Sequence, residues 1–204
     1  SAAFRSPADA PGVIWTLSDR GPQFTCDESE AITGLKPAEF CKANPAGRIY
    51  PLPDYAPSIF QVQLEPSGAF KILRRIPLKD ASGKPLTGLT NSLTRATTEA
   101  PLDGRGQPIA QDARALDAEG LVRLADGSFW IGEENGPSVA EVAADGRVLR
   151  RLVPAGMEID YKDAGYPVEG LLPAILAKRQ SNRGIESMAL SPDERFLYFI
   201  MQNP

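Results

Sequence analysis

The residues of this sequence best suited to chemistry are acids at the ends of apolar, strand-like runs: Asp19 in SDRGP, Asp117 and Glu119 in LDAEGL, Glu133 and Glu134 in EENGP, and Glu186 in NRGIE. Asn135, Gln202 and Asn203 add amide oxygens at matched places, and Arg20 and Arg183 stand close to two of the acids. Carboxylate and amide oxygens gathered without imidazole or thiolate are the donors of a hard cation, and calcium takes about six to eight of them. Asp19, Glu119, Glu134, Glu186 and Asn135 are the candidate calcium ligands. Taken singly, an acid at a strand end is more often solvated or capping a turn, and an arginine beside it is as often a structural ion pair as an anion clamp. Only as a matched set do these residues argue for a site.

The chain has no histidine. A Ser-His-Asp triad, a Cys-His dyad, a HExxH zinc site and the usual iron sites all need imidazole, so within this stretch they are excluded. Ser18, Ser138 and Ser187 have no visible base, which disfavours a serine nucleophile. Carboxylates, arginines, hydroxyls or an oxygen-held cation must perform any catalysis here.

These residues need a scaffold, and the sequence between Glu119 and Pro154 supplies one. GLVRL alternates, SFWIGEE returns, SVAEVA runs out and RVLRRLVP closes, with Asp126-Gly127 and Asp145-Gly146 marking hairpin turns. The unit recurs. VIWTLSDRGP matches SFWIGEENGP, SIFQVQLEPSGAFKILRRIP matches SVAEVAADGRVLRRLVP, and FLYFIMQNP begins a third copy. Repeated four-stranded meanders with variable insertions predict an all-β fold, a β-propeller of which this chain holds a partial ring of two to three blades. In such a ring the matched turns converge near the central channel. Trp15 and Trp130, at equivalent positions, read as blade-packing residues.

Residues 23–57 form an insertion within the first blade, and residues 79–115, polar and rich in Gly, Pro and Thr, a long inter-blade connection. LLPAILAKRQ reads as one short helix before NRG. Cys26 and Cys41 bracket a loop inside the insertion; their spacing suits a disulfide in an oxidising compartment, the alternative being two unpaired thiols.

Hydrophobic residues make up 42% of the chain, net charge is −4, and the basic residues are scattered. Nucleic acid is an unsuitable partner. No apolar run approaches the roughly 20 residues of a membrane span, and the N-terminal residues lack the pattern of a signal peptide. The final apolar run stops where a turn should follow, which predicts that the rest of a longer polypeptide closes the ring.

The DAEG, EENGP and NRGIE motifs, with SDRGP near the start, resemble the phytase-like domain family, known for the esterase-like activity of phytase, over roughly 170 positions. Ile185 stands where an aromatic residue would be expected in NRGIE. The resemblance implies a secreted or periplasmic bacterial propeller, metal-dependent, and related in shape to calcium-dependent propeller phytases. Carried over by motif, Glu119, Glu134, Arg183 and Glu186 become site residues. The favoured function is calcium-dependent hydrolysis of a small-molecule phosphate ester, with Glu134 as base and Arg20 or Arg183 steadying developing charge. A non-catalytic propeller with structural calcium and a ligand or protein partner is the alternative, and a carboxylic esterase is the weakest reading. A dense basic lining is missing, which counts against phytate itself.

Overall fold

The alternating runs become strands in the computed structural model, which describes residues 2–203. Strands β1 (Ala3–Phe4) and β2 (Val13–Leu17) open the chain. The insertion contributes β3 (Phe24–Thr25), two short helices, α1 (Ser29–Thr33) and α2 (Pro37–Phe40), and β4 (Arg48–Tyr50). Strands β5 (Ser58–Leu64) and β6 (Phe70–Pro77) follow, then β7 (Pro101–Asp103) within the connection. The second meander is β8 (Ala118–Arg123), β9 (Phe129–Glu133), β10 (Ser138–Val142) and β11 (Val148–Pro154). Strands β12 (Val168–Leu172), β13 (Ile185–Leu190) and β14 (Leu197–Met201) complete the set.

The fold is all-β, and the repeat read from the sequence is a repeat of sheets. The first has the order β1-β2-β5-β6 and the second β8-β9-β10-β11, extended by β12; β13 and β14 pair as a hairpin. No sheet closes on itself among the described residues. Strand β12 runs parallel to β11, an addition that the hairpin signals could not reveal because Val168 and Arg151 meet only through a long excursion. The short helix is a 3-10 turn over Ala174–Lys178.

Period-two alternation explains how the second sheet packs on both faces. Phe129 and Ile131 join the core shared with Trp15, Leu17 and Ile59 of the first sheet, and Trp15 meets Phe129 edge-on at 5.3 Å between ring centroids. Trp130, one residue out of phase, faces Met188 and Phe199 of the β13–β14 hairpin. That hairpin sits close because Gly120 and Gly132 lack side chains. A Cβ on Gly120 would stand 2.5 Å from Met188 Cγ, and one on Gly132 would stand 2.6 Å from Ile185 Cγ2.

The insertion and the connection form a sheet of their own, β3-β4-β7, in which β4 and β7 run parallel. Beneath it Phe24, Phe40, Ile49 and Leu102 make a small separate core. Cys26 and Cys41 form a disulfide with a Cα–Cα separation of 5.9 Å, closing the loop that carries α1 and α2. Parallel pairing between distant segments leaves no turn signature, so sequence reading saw two loops where one small sheet stands.

Candidate metal centre and its carboxylates

The turn after β2 and the approach to β8 bring three acids together. Asp19, Asp117 and Glu119 each place a carboxylate oxygen within 4.8 Å of the others. Oxygens around one calcium ion at about 2.3–2.6 Å lie no more than about 5 Å apart, so the spacing suits a shared cation. Asp117 and Glu119 are buried and Asp19 is half-buried. The Asp117 backbone is fixed, its carbonyl accepting from the Glu134 amide at 3.0 Å.

Asp117 is the residue that tests whether a cation fits. Both its carboxylate oxygens are buried without a hydrogen bond, although Arg20 Nη1 stands 3.3 Å from Oδ2. Burial pushes this carboxyl well above the usual range; Arg20 opposes the shift, and Glu133, Asp19 and Glu134 reinforce it. Arg20 compensates this buried carboxylate only in part, and a divalent cation between the three acids would supply the rest. Three carboxylates without imidazole or thiolate are the donors of a hard metal ion.

The adjacent acids of EENGP part company. Glu133 turns into the second sheet, where Arg151 Nη2 lies 3.0 Å from Oε2 and both side chains are essentially inaccessible. It also accepts from the Gly136 amide at 2.9 Å and from the Ser138 hydroxyl at 3.2 Å. Glu134 turns the other way. Asn182 Nδ2 donates to its Oε2 at 3.0 Å, and burial together with the neighbouring Glu186 carboxylate pushes it up to about 7. Gly184 permits this pairing, since a Cβ there would overlap the Glu134 carbonyl.

Arg20 is buried and holds the surroundings in place. Nη1 donates to Tyr50 Oη and to Glu99 Oε2, both at 2.9 Å, and Nη2 donates to Asn182 Oδ1 at 2.9 Å. Arg48 closes on the other oxygen of Glu99 at 2.8 Å. Burial opposes the charge on Arg20, yet Asp117, Tyr50 and Glu99 raise its pKa overall. Asn135 Nδ2 reaches Glu99 at 3.4 Å and Asn182 at 3.5 Å, while its Oδ1 accepts from Thr98 at 3.3 Å. Its amide therefore belongs to this network rather than to the acid triad.

The sequence-predicted residues thus fall into groups. Asp19 and Glu119 meet in the triad with Asp117; Glu134 pairs with Glu186 beside it; Arg20 and Asn135 brace the wall. Arg183 is exposed and Gln202 is exposed, while Asn203 donates to Gln180 Oε1 at 3.3 Å. Glu99 and Asn182 were missed. Glu99 lies in a stretch read as connection, and nothing local marks it. Asn182 was legible in NRGIE, and its left-handed backbone, φ 54°, is one that asparagine tolerates better than most residues.

The family model described as phytase-like, esterase-like activity of phytase, matches residues 6–204. The chain belongs to the phytase-like family. An uncharacterized secreted protein of Arthroderma benhamiae is 28% identical over 161 residues, which are 68% of this chain and 31% of that protein. The chain accordingly spans less than a third of the length of this phytase-like chain's curated relative. No solved structure matches. Among the described residues no helix is long and apolar enough to cross a membrane, and the disulfide accords with a protein that meets an oxidising environment.

Proposed function

We propose that the chain is part of a secreted or periplasmic β-propeller that hydrolyses phosphate esters with the help of calcium. The observation that carries this reading is the Asp117 carboxylate, buried beside Asp19 and Glu119 with neither oxygen hydrogen-bonded. Asp19, Asp117 and Glu119 would hold the ion. When bound, calcium supplies Lewis-acid neutralisation of phosphate charge. The successive sheets and the match to the phytase-like family support the propeller, whose remaining blades come from elsewhere in the polypeptide.

In this reading Glu134, pushed up to about 7 by burial and by the neighbouring Glu186 carboxylate and held by Asn182, accepts the proton of the attacking water. Arg20 orients Asp117 and Glu99 and keeps its place by four contacts, which makes it a positioning residue. Arg183 is exposed, and in this reading it is the arginine free to meet a phosphate oxygen. The test is hydrolysis of a generic phosphomonoester by the full-length protein with calcium and after chelation. Calcium-dependent turnover that falls in Glu134→Gln and Asp117→Asn supports the reading; equal turnover after chelation refutes it.

The burial of Asp117 and Glu119 favours a second reading, in which calcium is structural and the propeller binds a partner without catalysis. No turnover under either condition, together with a melting temperature that drops on chelation, selects it.

A further inference from the structure

The matched outer strands of the two sheets have different surroundings. FKILRRIP, in β6, corresponds to VLRRLVP, in β11, and both strands bulge at the leucine before the arginine pair, Leu73 and Leu149. Along the far edge of β11 the chain lays β12 in parallel, with Arg151 opposite Val168 and Leu152 opposite Glu169. Arg150 then lies 3.8 Å from the Glu169 carboxylate, and Arg151 is fully buried. Strand β6 ends its sheet, and no strand among the described residues pairs with its far edge.

Its side chains are bare as well. Residues 70 to 75 are all exposed, Phe70 by 66% and Ile72 by 53%. Gln61 stands across the ladder from Arg74 where Arg150 has Glu141, and neither Arg74 nor Lys71 makes an ion pair among the described residues. Arg75, the counterpart of buried Arg151, reaches the Ser58 hydroxyl at 3.3 Å and no acid. An edge strand offers a row of amides and carbonyls to any extended segment, and its side chains decide which segment is accepted. Three cations and no acid on β6 would set like charges together if two copies paired edge to edge, and they favour an acidic strand instead.

We propose that the free edge of β6 is a docking site for an extended, acidic and apolar segment of another protein, which adds a strand to the first sheet as β12 adds one to the second. A carboxylate of that segment meets Arg74, as Glu169 meets Arg150, and apolar side chains beside it cover Phe70 and Ile72. In one respect the inference rests on the propeller reading: each blade buries its faces against its neighbours, so closing the ring covers faces rather than the outer edge strand.

The probe is a synthetic peptide of residues 166–173, YPVEGLLP, the segment that carries β12, added to the full-length protein. Hydrogen exchange of residues 70–75 is expected to be fast in the protein alone and to slow with the peptide, with saturable binding in calorimetry. Arg74 is exposed, so Arg74→Glu leaves the core intact and should weaken the peptide at least fivefold. The peptide with Glu169→Lys should in turn bind Arg74→Glu at least fivefold more tightly than it binds the parent protein. Equal affinities in these pairings, or no binding to an open edge, overturn the proposal and leave the propeller reading standing. Slow exchange in the monomer without peptide would mean that the protein's own chain covers β6, which overturns the proposal and counts against the propeller reading. Protection that disappears on dilution assigns the edge to a second copy and overturns the proposal alone.

Discussion

Replacing Arg151 by methionine should be among the most damaging changes this chain can suffer, although Arg151 lies beside Arg150 in an ordinary-looking strand. Arg151 is fully buried and spends every donor: Nη2 at 3.0 Å from Glu133 and 3.1 Å from Asn91, Nη1 at 2.9 Å from the Ala115 carbonyl, and Nε at 2.8 Å from Ser138. Its guanidinium also stacks over Tyr161 at 4.5 Å. Methionine fills much of the volume but leaves Glu133 as a lone buried charge, which costs about 3–5 kcal/mol. At this chain length that is about 6–20 °C in melting temperature, at roughly 2–4 °C per kcal/mol. Removing the stranded charge as well should recover stability, so Glu133→Gln with Arg151→Met should be more stable than Arg151→Met alone. Arg150 is the control. Its pair with Glu141, 2.7 Å apart, leaves the arginine 41% exposed, and Arg150→Met should cost no more than about 1 kcal/mol. Chemical denaturation of Arg151→Met, Glu133→Gln, their double variant and Arg150→Met checks the scheme. An Arg151→Met penalty below about 1 kcal/mol, or a double variant that costs the sum of the singles, would refute the idea that an isolated buried charge is the cause.

Calcium at about a hundred times its dissociation constant should stabilise the protein by about 2.7 kcal/mol, and Asp117→Asn should abolish that increment in thermal melts with and without chelator. The pH dependence follows from Glu134. Its folded pKa, about 7, lies above the ordinary value of 4.5, so the folded state holds the extra proton between those values. Stability in chelator is therefore greatest below about pH 4.5 from this group and falls as pH rises through 7; Glu134→Gln should flatten that slope in a melting series. Removing the disulfide in Cys26→Ser with Cys41→Ser should cost about 3 kcal/mol on a chain-entropy model for a loop of this size, read by urea unfolding under oxidising conditions. The loss should be accompanied by weaker calcium binding, because β4 carries both Arg48 and Tyr50.

Much of this architecture was legible because it is local. Asp126-Gly127 and Asp145-Gly146 sit between alternating runs, and the strands they join are neighbours in sequence and in space. Asp19, from the turn after β2, and Glu119, from the start of β8, were collected from different parts of the repeat, and the fold brings their carboxylates within 4.8 Å. Asp117 was collected with them but not singled out, because three residues upstream of a glycine any acid looks like a turn former. What decides its role is the lack of a hydrogen-bond partner, a property of the folded surroundings. Glu134 was preferred to Glu133 by motif, but nothing in the sequence showed where either side chain goes. One residue of strand phase sends the first to Arg151 and the second to Glu186, and neither partner lies near enough in sequence to announce the difference. The β4–β7 pairing was invisible for the same reason: Arg48 finds Glu99 across 51 residues.

The bridge between Cys26 and Cys41 spans the most exposed part of the insertion, where residues 30 to 36 are all solvent-facing. A protease meeting the chain outside a cell would find its readiest cut there. Such a cut falls inside the covalent loop, so the two pieces stay joined through sulfur. The upstream piece carries Asp19 and Arg20; the downstream piece carries Tyr50 and Glu99, which grip Arg20 from the other side, and Arg48, which holds Glu99. A nicked molecule would run as two bands only after reduction, and before reduction would keep both halves of its acid-lined centre in register.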